Sequence, residues 1–303
     1  MKVLVTGAAG FIGSNLCWEL SGRGWQVVAL DDFSTGTFEN LRGFPGDVIA
    51  ADFGDTAYWG PRVGKVDGVF HQAAITDTTV SDQRAMMNVN VESFRNLLAW
   101  AAKTRVKKVV YASSAGVYGD APAPQQEDSQ LRPMNVYGFS KMVMETVAGS
   151  AKSVKTAGLR YFNVFGPREA HKNKAASMIW QLSLQMKAGR RPRIFEFGEQ
   201  YRDFIYVKDV VEANIKAFKK AAPGVYNVCT GCKTDFNGIV TGLNAALGLS
   251  LQPEYFKNPY SFYQNETLGD PLRAQKAFDF RAQWSMQRAV PDYFGSARAL
   301  VGV

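Results

Sequence analysis

Three cysteines in 303 residues are too few for a disulfide framework and fit a reducing compartment, where thiols are core residues or reagents. No window approaches the ~18 consecutive apolar residues of a membrane-spanning helix. Met1-Lys2 runs straight into an apolar stretch, which leaves no room for a secretory leader, so a cytoplasmic location is the expectation. The chain shows no internal repeat, low-complexity tract or flexible linker. Its net charge of +8 would suit a nucleic acid or an anionic small molecule. The densest basic segments, Lys172-Asn-Lys174 and Lys187-Ala-Gly-Arg190-Arg191-Pro-Arg193, carry neither aromatic interleaving nor a nucleic-acid recognition motif. Neither a nucleic acid nor a membrane is expected as a partner, and each basic segment reads as a solvated face or as a diphosphate clamp. Cys229-Thr-Gly-Cys232 has redox or metal spacing, but no second Cys or His pair lies near it, so it reads as coincidence and no metal is expected. What remains is an ordinary globular composition, 46% hydrophobic and 20% charged.

The organising stretch is Lys2-Val-Leu-Val-Thr-Gly-Ala-Ala-Gly-Phe-Ile-Gly13, a buried strand that passes through a glycine-rich turn into a helix starting near Phe11. Gly7 allows the tight turn, Gly10 lets backbone approach a pyrophosphate, and Gly13 lets the helix pack closely on the strand. The N–H groups at the helix start, around Phe11 and Ile12, then face phosphates. Ala8 stands where the commoner fingerprint has its second glycine. The acid expected about 20 residues on is present, because Val27-Val-Ala-Leu-Asp31-Asp32 reads as a second strand ending in two carboxylates suited to ribose hydroxyls.

Further strands are read at 47–51, 66–70 and 107–112, with helices between them and one long helix over 81–104. This alternation predicts a doubly wound parallel sheet of Rossmann type. Asp52, just past one strand end, is placed to reach an adenine or to sit as surface acid. His71-Gln72-Ala73-Ala74 ends another strand with small residues along which a cofactor can lie. The 107–112 strand ends in Ser113-Ser114. Beyond about residue 165 the pattern loosens, with helices near 175–187, 208–219 and 236–246. The expected division is a dinucleotide-binding domain over 1–165 and a smaller α/β substrate domain over 166–303, some of whose segments return to the sheet.

Tyr137-Gly-Phe-Ser-Lys141 puts a phenol and an ammonium at i and i+4, on one face of a helix. The ammonium is expected to lower the phenol pKa toward a value useful for proton abstraction, and Ser114 to hydrogen-bond the same substrate oxygen.

Thr6-Gly-Ala-Ala-Gly-Phe-Ile-Gly13, Ala112-Ser-Ser-Ala-Gly-Val-Tyr-Gly119, Tyr137-x-x-x-Lys141, Arg160-Tyr-Phe-Asn-Val-Phe-Gly-Pro-Arg168 and Arg202-Asp-Phe-Ile-Tyr-Val-Lys-Asp209 resemble the extended short-chain dehydrogenase/reductases that act on nucleotide sugars. The resemblance covers nearly the whole chain. Asp77-Thr-Thr79, Met86-Met-Asn88 and the run from Tyr161 through Glu169-Ala-His-Lys172 are most similar to the ADP-glyceromanno-heptose 6-epimerase branch. The resemblance implies a nucleotide-diphosphate-sugar epimerase and a homo-oligomer, with catalysis by Ser114, Tyr137 and Lys141 and with Lys172 as a second acid/base on the opposite sugar face. It implies cofactor contacts that include Asn88, Lys141 and Val164. It also implies a substrate site drawn from Thr78, Asn163, Phe195, Arg202 and Tyr263.

Lys174 and Gln181 stand where that branch usually carries serine and histidine against the substrate. Phe38 stands where a lysine would reach the 2′-phosphate of NADP. With Asp31 and Asp32 nearby, NAD is the expected cofactor, NADP being the alternative if Arg42 compensates. A UDP-sugar 4-epimerase or a nucleotide-sugar reductase is the rival enzyme, and a catalytically silent NAD-binding sensor the rival from another class.

Overall fold

A computed structural model of the protein describes residues 1–77, 82–259 and 266–300. The chain begins with β1 (Lys2–Thr6), whose alternate side chains serve the two faces of a sheet: Val3 and Val5 enter one core and Leu4 the other. It continues through α1 (Phe11–Gly22), β2 (Gln26–Asp31), β3 (Asp47–Ala50), α2 (Thr56–Val63), β4 (Gly68–His71), α3 (Gln83–Met87) and α4 (Ser93–Lys103). Next come β5 (Lys108–Ser114), α5 (Val136–Ser150), β6 (Lys155–Tyr161), β7 (Asn163–Phe165) and α6 (Met178–Lys187). Then follow β8 (Arg193–Phe195), β9 (Tyr201–Arg202), β10 (Phe204–Tyr206), α7 (Val207–Lys220), β11 (Gly224–Val228) and β12 (Thr234–Asp235). The remainder is α8 (Phe236–Leu247), β13 (Glu254–Phe256), α9 (Leu272–Phe278) and α10 (Met286–Leu300).

Seven parallel strands form the main sheet in the order β11-β6-β5-β4-β1-β2-β3. The doubly wound α/β class read from the sequence is the observed one. The order reverses between β1 and β4, so their carboxyl ends splay apart there and leave the crevice in which such sheets take ligands. Registers Thr6↔His71, His71↔Tyr111 and Ser114↔Tyr161 set four strand ends side by side along that edge.

Helices α1, α7 and α9 cover one face through Leu16, Leu20, Val210, Phe218 and Phe278. The other face is covered by α2, α4 and α5 through Trp59, Phe94, Leu97, Met144 and Val147. A third core gathers α6, α8 and α10 around Ile179, Leu182, Phe204, Tyr206, Ile239 and Val290. β11 returns from the second half of the chain to become the edge strand beside β6.

The long helix read over 81–104 is interrupted. Between α3 and α4 the residues Asn88–Glu92 form a π-helical turn, whose extra residue rotates the buried Asn90 inward. There its Oδ1 accepts from Ile75 N at 2.8 Å, and its Nδ2 donates to Ile75 O at 3.0 Å and Ser140 Oγ at 2.9 Å.

Candidate active site

At the crevice the structure holds a cavity of about 560 Å³, lined by the glycine turn and by Tyr137, Lys141 and Lys172. Gly7 has φ +67°, and a Cβ there would meet Ala73 N at 2.6 Å, so the turn closes only with glycine. A Cβ on Gly13 would collide with the Gly7 carbonyl oxygen, which explains the close strand–helix packing. Gly10 differs: its Cβ would meet only Gly7 O at 3.2 Å, and as N-cap of α1 it offers no side chain to the N–H groups of the first turn. Those groups face the cavity beside Phe11 and Ile12, a cradle suited to phosphate. The site fits a dinucleotide.

Against the glycine turn Gln72 is fixed by its Nε2 donating to Asn214 Oδ1 at 3.1 Å and by the Tyr161 hydroxyl donating to its Oε1 at 3.1 Å, with Ala73 and Ala74 following along the cavity. Asp31 and Asp32 also line it. The buried Asp31 carboxylate accepts from Ala9 N and Phe33 N, each at 2.8 Å, and so holds the glycine turn in place. Burial raises its pKa, the two N–H donors oppose that, and Asp32 adds to the rise. Asp32 is exposed and accepts from Ser34 N and Oγ.

Tyr137 and Lys141 stand one turn apart on α5, which starts where Asn135 Oδ1 accepts from Gly138 N at 2.8 Å. The ammonium lies 5.8 Å from the Tyr137 ring centre and donates to Ala112 O at 2.9 Å. Ser114 stands at the end of β5, where its Oγ accepts from Gly116 N at 3.0 Å and its side chain opposes the rise of the Tyr137 pKa.

The expected electrostatics need correcting. Burial raises the Tyr137 phenol, opposed by Ser114, and no lowering by Lys141 accompanies it. Burial also pulls Lys141 down to about 7, with Glu145 opposing. Both groups lose more hydration than their mutual attraction returns.

Lys172 joins the cavity beside the start of α1, half-buried, its ammonium 5.8 Å from the Phe11 ring centre. Burial lowers its pKa and Glu169 opposes that, so local sequence, which places it in solvent, is overridden by the fold. His171 lines the same wall, with Nδ1 3.3 Å from Asn40 Nδ2.

Several sequence-predicted residues lie off this cavity. Asp52 is exposed and accepts from Gly54 N at 2.8 Å, while its neighbours Ala51 and Phe53 do the lining. Asn88 is exposed on the π turn, and its neighbour Val89 lines the wall instead. Val164 packs between two cores. Asn163 Nδ2 donates to Asp203 O at 3.2 Å. Phe195 stacks edge-on against Phe256 with ring centres 4.9 Å apart. Arg202 donates to Tyr201 O at 2.9 Å. Lys174 is exposed, and Gln181 Nε2 donates to Lys174 O and Ala176 O at 3.0 and 2.8 Å, so that glutamine braces the Lys172 loop. Thr78 and Tyr263 lie outside the described residues. Of the cysteines, Cys229 is buried and Cys232 exposed, its Sγ directed to Thr230 O at 3.9 Å. Asn90, Glu145 and Glu169 were missed by sequence reasoning. The polar residue inside an apolar helical period was the signal for Asn90 and Glu145.

A model of the NAD dependent epimerase/dehydratase family matches residues 3–229. The structure of the Helicobacter pylori ADP-L-glycero-D-manno-heptose-6-epimerase is similar at 41% identity and a TM-score of 0.92, with 98% of this chain and 96% of that one covered. UDP-glucose 4-epimerase from Thermotoga maritima, solved with UDP-glucose, is 29% identical with a TM-score of 0.90 and coverage of 98% and 99%. UDP-glucuronic acid 4-epimerase from Bacillus cereus, solved in complex with NAD, is 25% identical with a TM-score of 0.85 and coverage of 98% and 99%.

Proposed function

The chain belongs to the NAD dependent epimerase/dehydratase family as a nucleotide-sugar epimerase, and from that premise we propose that it inverts the 6-position of an ADP-glyceromanno-heptose. The observation that carries this reading is the meeting of Lys172 with Tyr137 and Lys141 in one cavity, because a ketone turned to present its other face to the nicotinamide can place its oxygen at a second proton-transferring group. The heptose epimerase structure, the most identical of the three relatives described, supports the sugar. The nicotinamide, when bound, supplies a hydride acceptor and donor at that carbon.

The chain's own residues do the rest. Tyr137 takes the hydroxyl proton from one face and Ser114 orients the oxygen. Lys141 holds the phenol's surroundings through Ala112 and binds the nicotinamide ribose. Lys172 exchanges the proton on the other face. Asn163, Arg202, Phe195, Lys174 and Gln181 are assigned to the substrate side, together with Thr78 and Tyr263. The division at residue 165 assigns the cofactor to the first part and the sugar largely to the second, with α7, α9 and β11 returning to the sheet.

Incubating the enzyme with ADP-heptose and with ADP-, UDP- and GDP-hexoses, and following each by NMR, is the test. A new 6-epimer from ADP-heptose, formed in D₂O without deuterium at the inverted carbon, is the expected result. Epimerisation of a UDP-hexose with none of ADP-heptose overturns the assignment in favour of a 4-epimerase, which shares the fold and the Tyr137 face.

A further inference from the structure

Resting on the reading of Lys172 as the second acid/base, we infer that Glu169 is its positioning residue, closing the chain from Gly166 to Ser177 into a fixed loop that presents the ammonium to the cavity. Glu169 is only 1% exposed. A carboxylate so buried is costly unless donors surround it, and here they come from both ends of the loop. Oε1 accepts from Gly166 N at 3.0 Å and Ser177 Oγ at 2.9 Å, while Oε2 accepts from Ser177 N at 2.6 Å. Glu169 also raises the pKa of the Tyr293 phenol, which reaches its neighbourhood from α10.

Ser177 in turn caps α6, its Oγ accepting from Trp180 N at 3.2 Å, so the far end of the loop is locked to a helix. Between these points Lys172 N donates to Glu169 O at 3.0 Å. The backbone would not hold this shape unaided, for Arg168 and Asn173 have φ of +71° and +49°. Such residues persist where surroundings over-determine them.

The near end of the loop is tied to the dinucleotide turn. Asn40 Nδ2 lies 2.9 Å from Ala9 O and 3.3 Å from both Arg168 O and His171 Nδ1. Asn15 Nδ2 donates to Pro167 O at 2.9 Å and its Oδ1 accepts from Arg168 at 3.2 Å. Glu169 closes the loop on itself, and Asn15 and Asn40 then fix it, with Lys172, relative to the helix suited to the pyrophosphate. It touches no reacting atom, and its effect belongs to one sugar face alone.

The test mixes holoenzyme rapidly with each 6-epimer of the ADP-heptose separately and reads reduction of the bound nicotinamide in the first turnover. That signal reports the proton-accepting group on one face at a time. Glu169→Gln should slow the epimer served by Lys172 by about 10²-fold, the scale of an ångström of misplacement, and leave the Tyr137 epimer within about threefold. Lys172→Met is the reference, and Ser177→Ala, which removes one donor to the carboxylate, should reproduce the asymmetry more weakly even if Glu169→Gln fails to fold. Amide exchange of 170–176 should accelerate in Glu169→Gln while that of 137–141 does not.

If Lys172→Met slows both epimers alike, the second acid/base reading itself fails. If Lys172→Met is selective but Glu169→Gln and Ser177→Ala slow both epimers equally or neither, the positioning role is overturned and that of Lys172 stands.

Discussion

Lys141 and Tyr137 both give up hydration inside the crevice, and each shifts toward its neutral form for that reason. For Lys141 the sign follows from linkage. Its pKa falls from 10.5 to about 7 on folding, so between those values the unfolded chain binds more protons and stability rises with pH. The contribution is fully present above the unfolded value and is lost as pH falls through about 7. Thermal melts of wild type and Lys141→Met from pH 6 upward should show wild type gaining on the variant across that window, and parallel curves would mean that the ammonium stays hydrated. Tyr137→Phe keeps the packed ring and loses the proton acceptor. It should bind NAD as wild type does while turnover falls about 10²-fold or more, as loss of a general base requires; a purified variant retaining a tenth of the rate would remove Tyr137 from that role.

At residue scale the glycines, Tyr137 and Lys141 were legible because each performs its task through local geometry, a turn or one helical face. Asp52 and Asn88 are exposed one position away from residues that line the cavity, Ala51, Phe53 and Val89, because a strand end or a motif match leaves open which neighbour points inward. Glu169 carried no legible signal, because its donors at Gly166 and Ser177 lie outside any periodic pattern.

Among the elements, the segment after β2 decides which dinucleotide fits. Asp31 is committed to the glycine turn and Asp32 to Ser34, so two carboxylates stay fixed beside the ribose end of the cavity. Phe38 is 62% exposed, and Arg42, the cation that the sequence left as a possible compensator, pairs with Glu39 on the same short helical turn. A 2′-phosphate there meets repulsion with no cation committed to it. Apo-protein should bind NAD more tightly than NADP, and Phe38→Lys should narrow the gap by roughly tenfold, about the 1.4 kcal/mol of one charge-assisted contact. Equal affinities in the wild type, measured by calorimetry, would show that Arg42 leaves Glu39 for the phosphate.

The elements themselves followed the sequence closely where one period ran unbroken, as in α1 and β2. They departed from it at 88–92, where a tertiary demand, the bridge from Asn90 to Ile75 and Ser140, adds a π turn that no periodicity announces.

For the whole molecule, packing runs across the division expected near residue 165. β11 closes the edge beside β6, and the core under α1 includes Val210, Phe218, Phe278 and Phe280 from the second half of the chain. The third core is not separate either, for Ile12 and Val164 pack against it and against the sheet core together. Returning segments were expected from the sequence, but their weight was not, because apolar residues in α7 and α9 carry no mark of the surface they will meet. Two consequences follow from shared cores. A fragment ending at residue 165 leaves β6 as an edge strand paired with β5 alone and strips the cover from Val110 and Leu159, so it should show neither a cooperative melt nor NAD binding. The intact chain, whose cores meet through Ile12 and Val164, should unfold in one calorimetric transition, with a van't Hoff enthalpy equal to the calorimetric one. Two resolved transitions, or a fragment that binds NAD, would show that the dinucleotide half folds on its own and that the returning segments only decorate it.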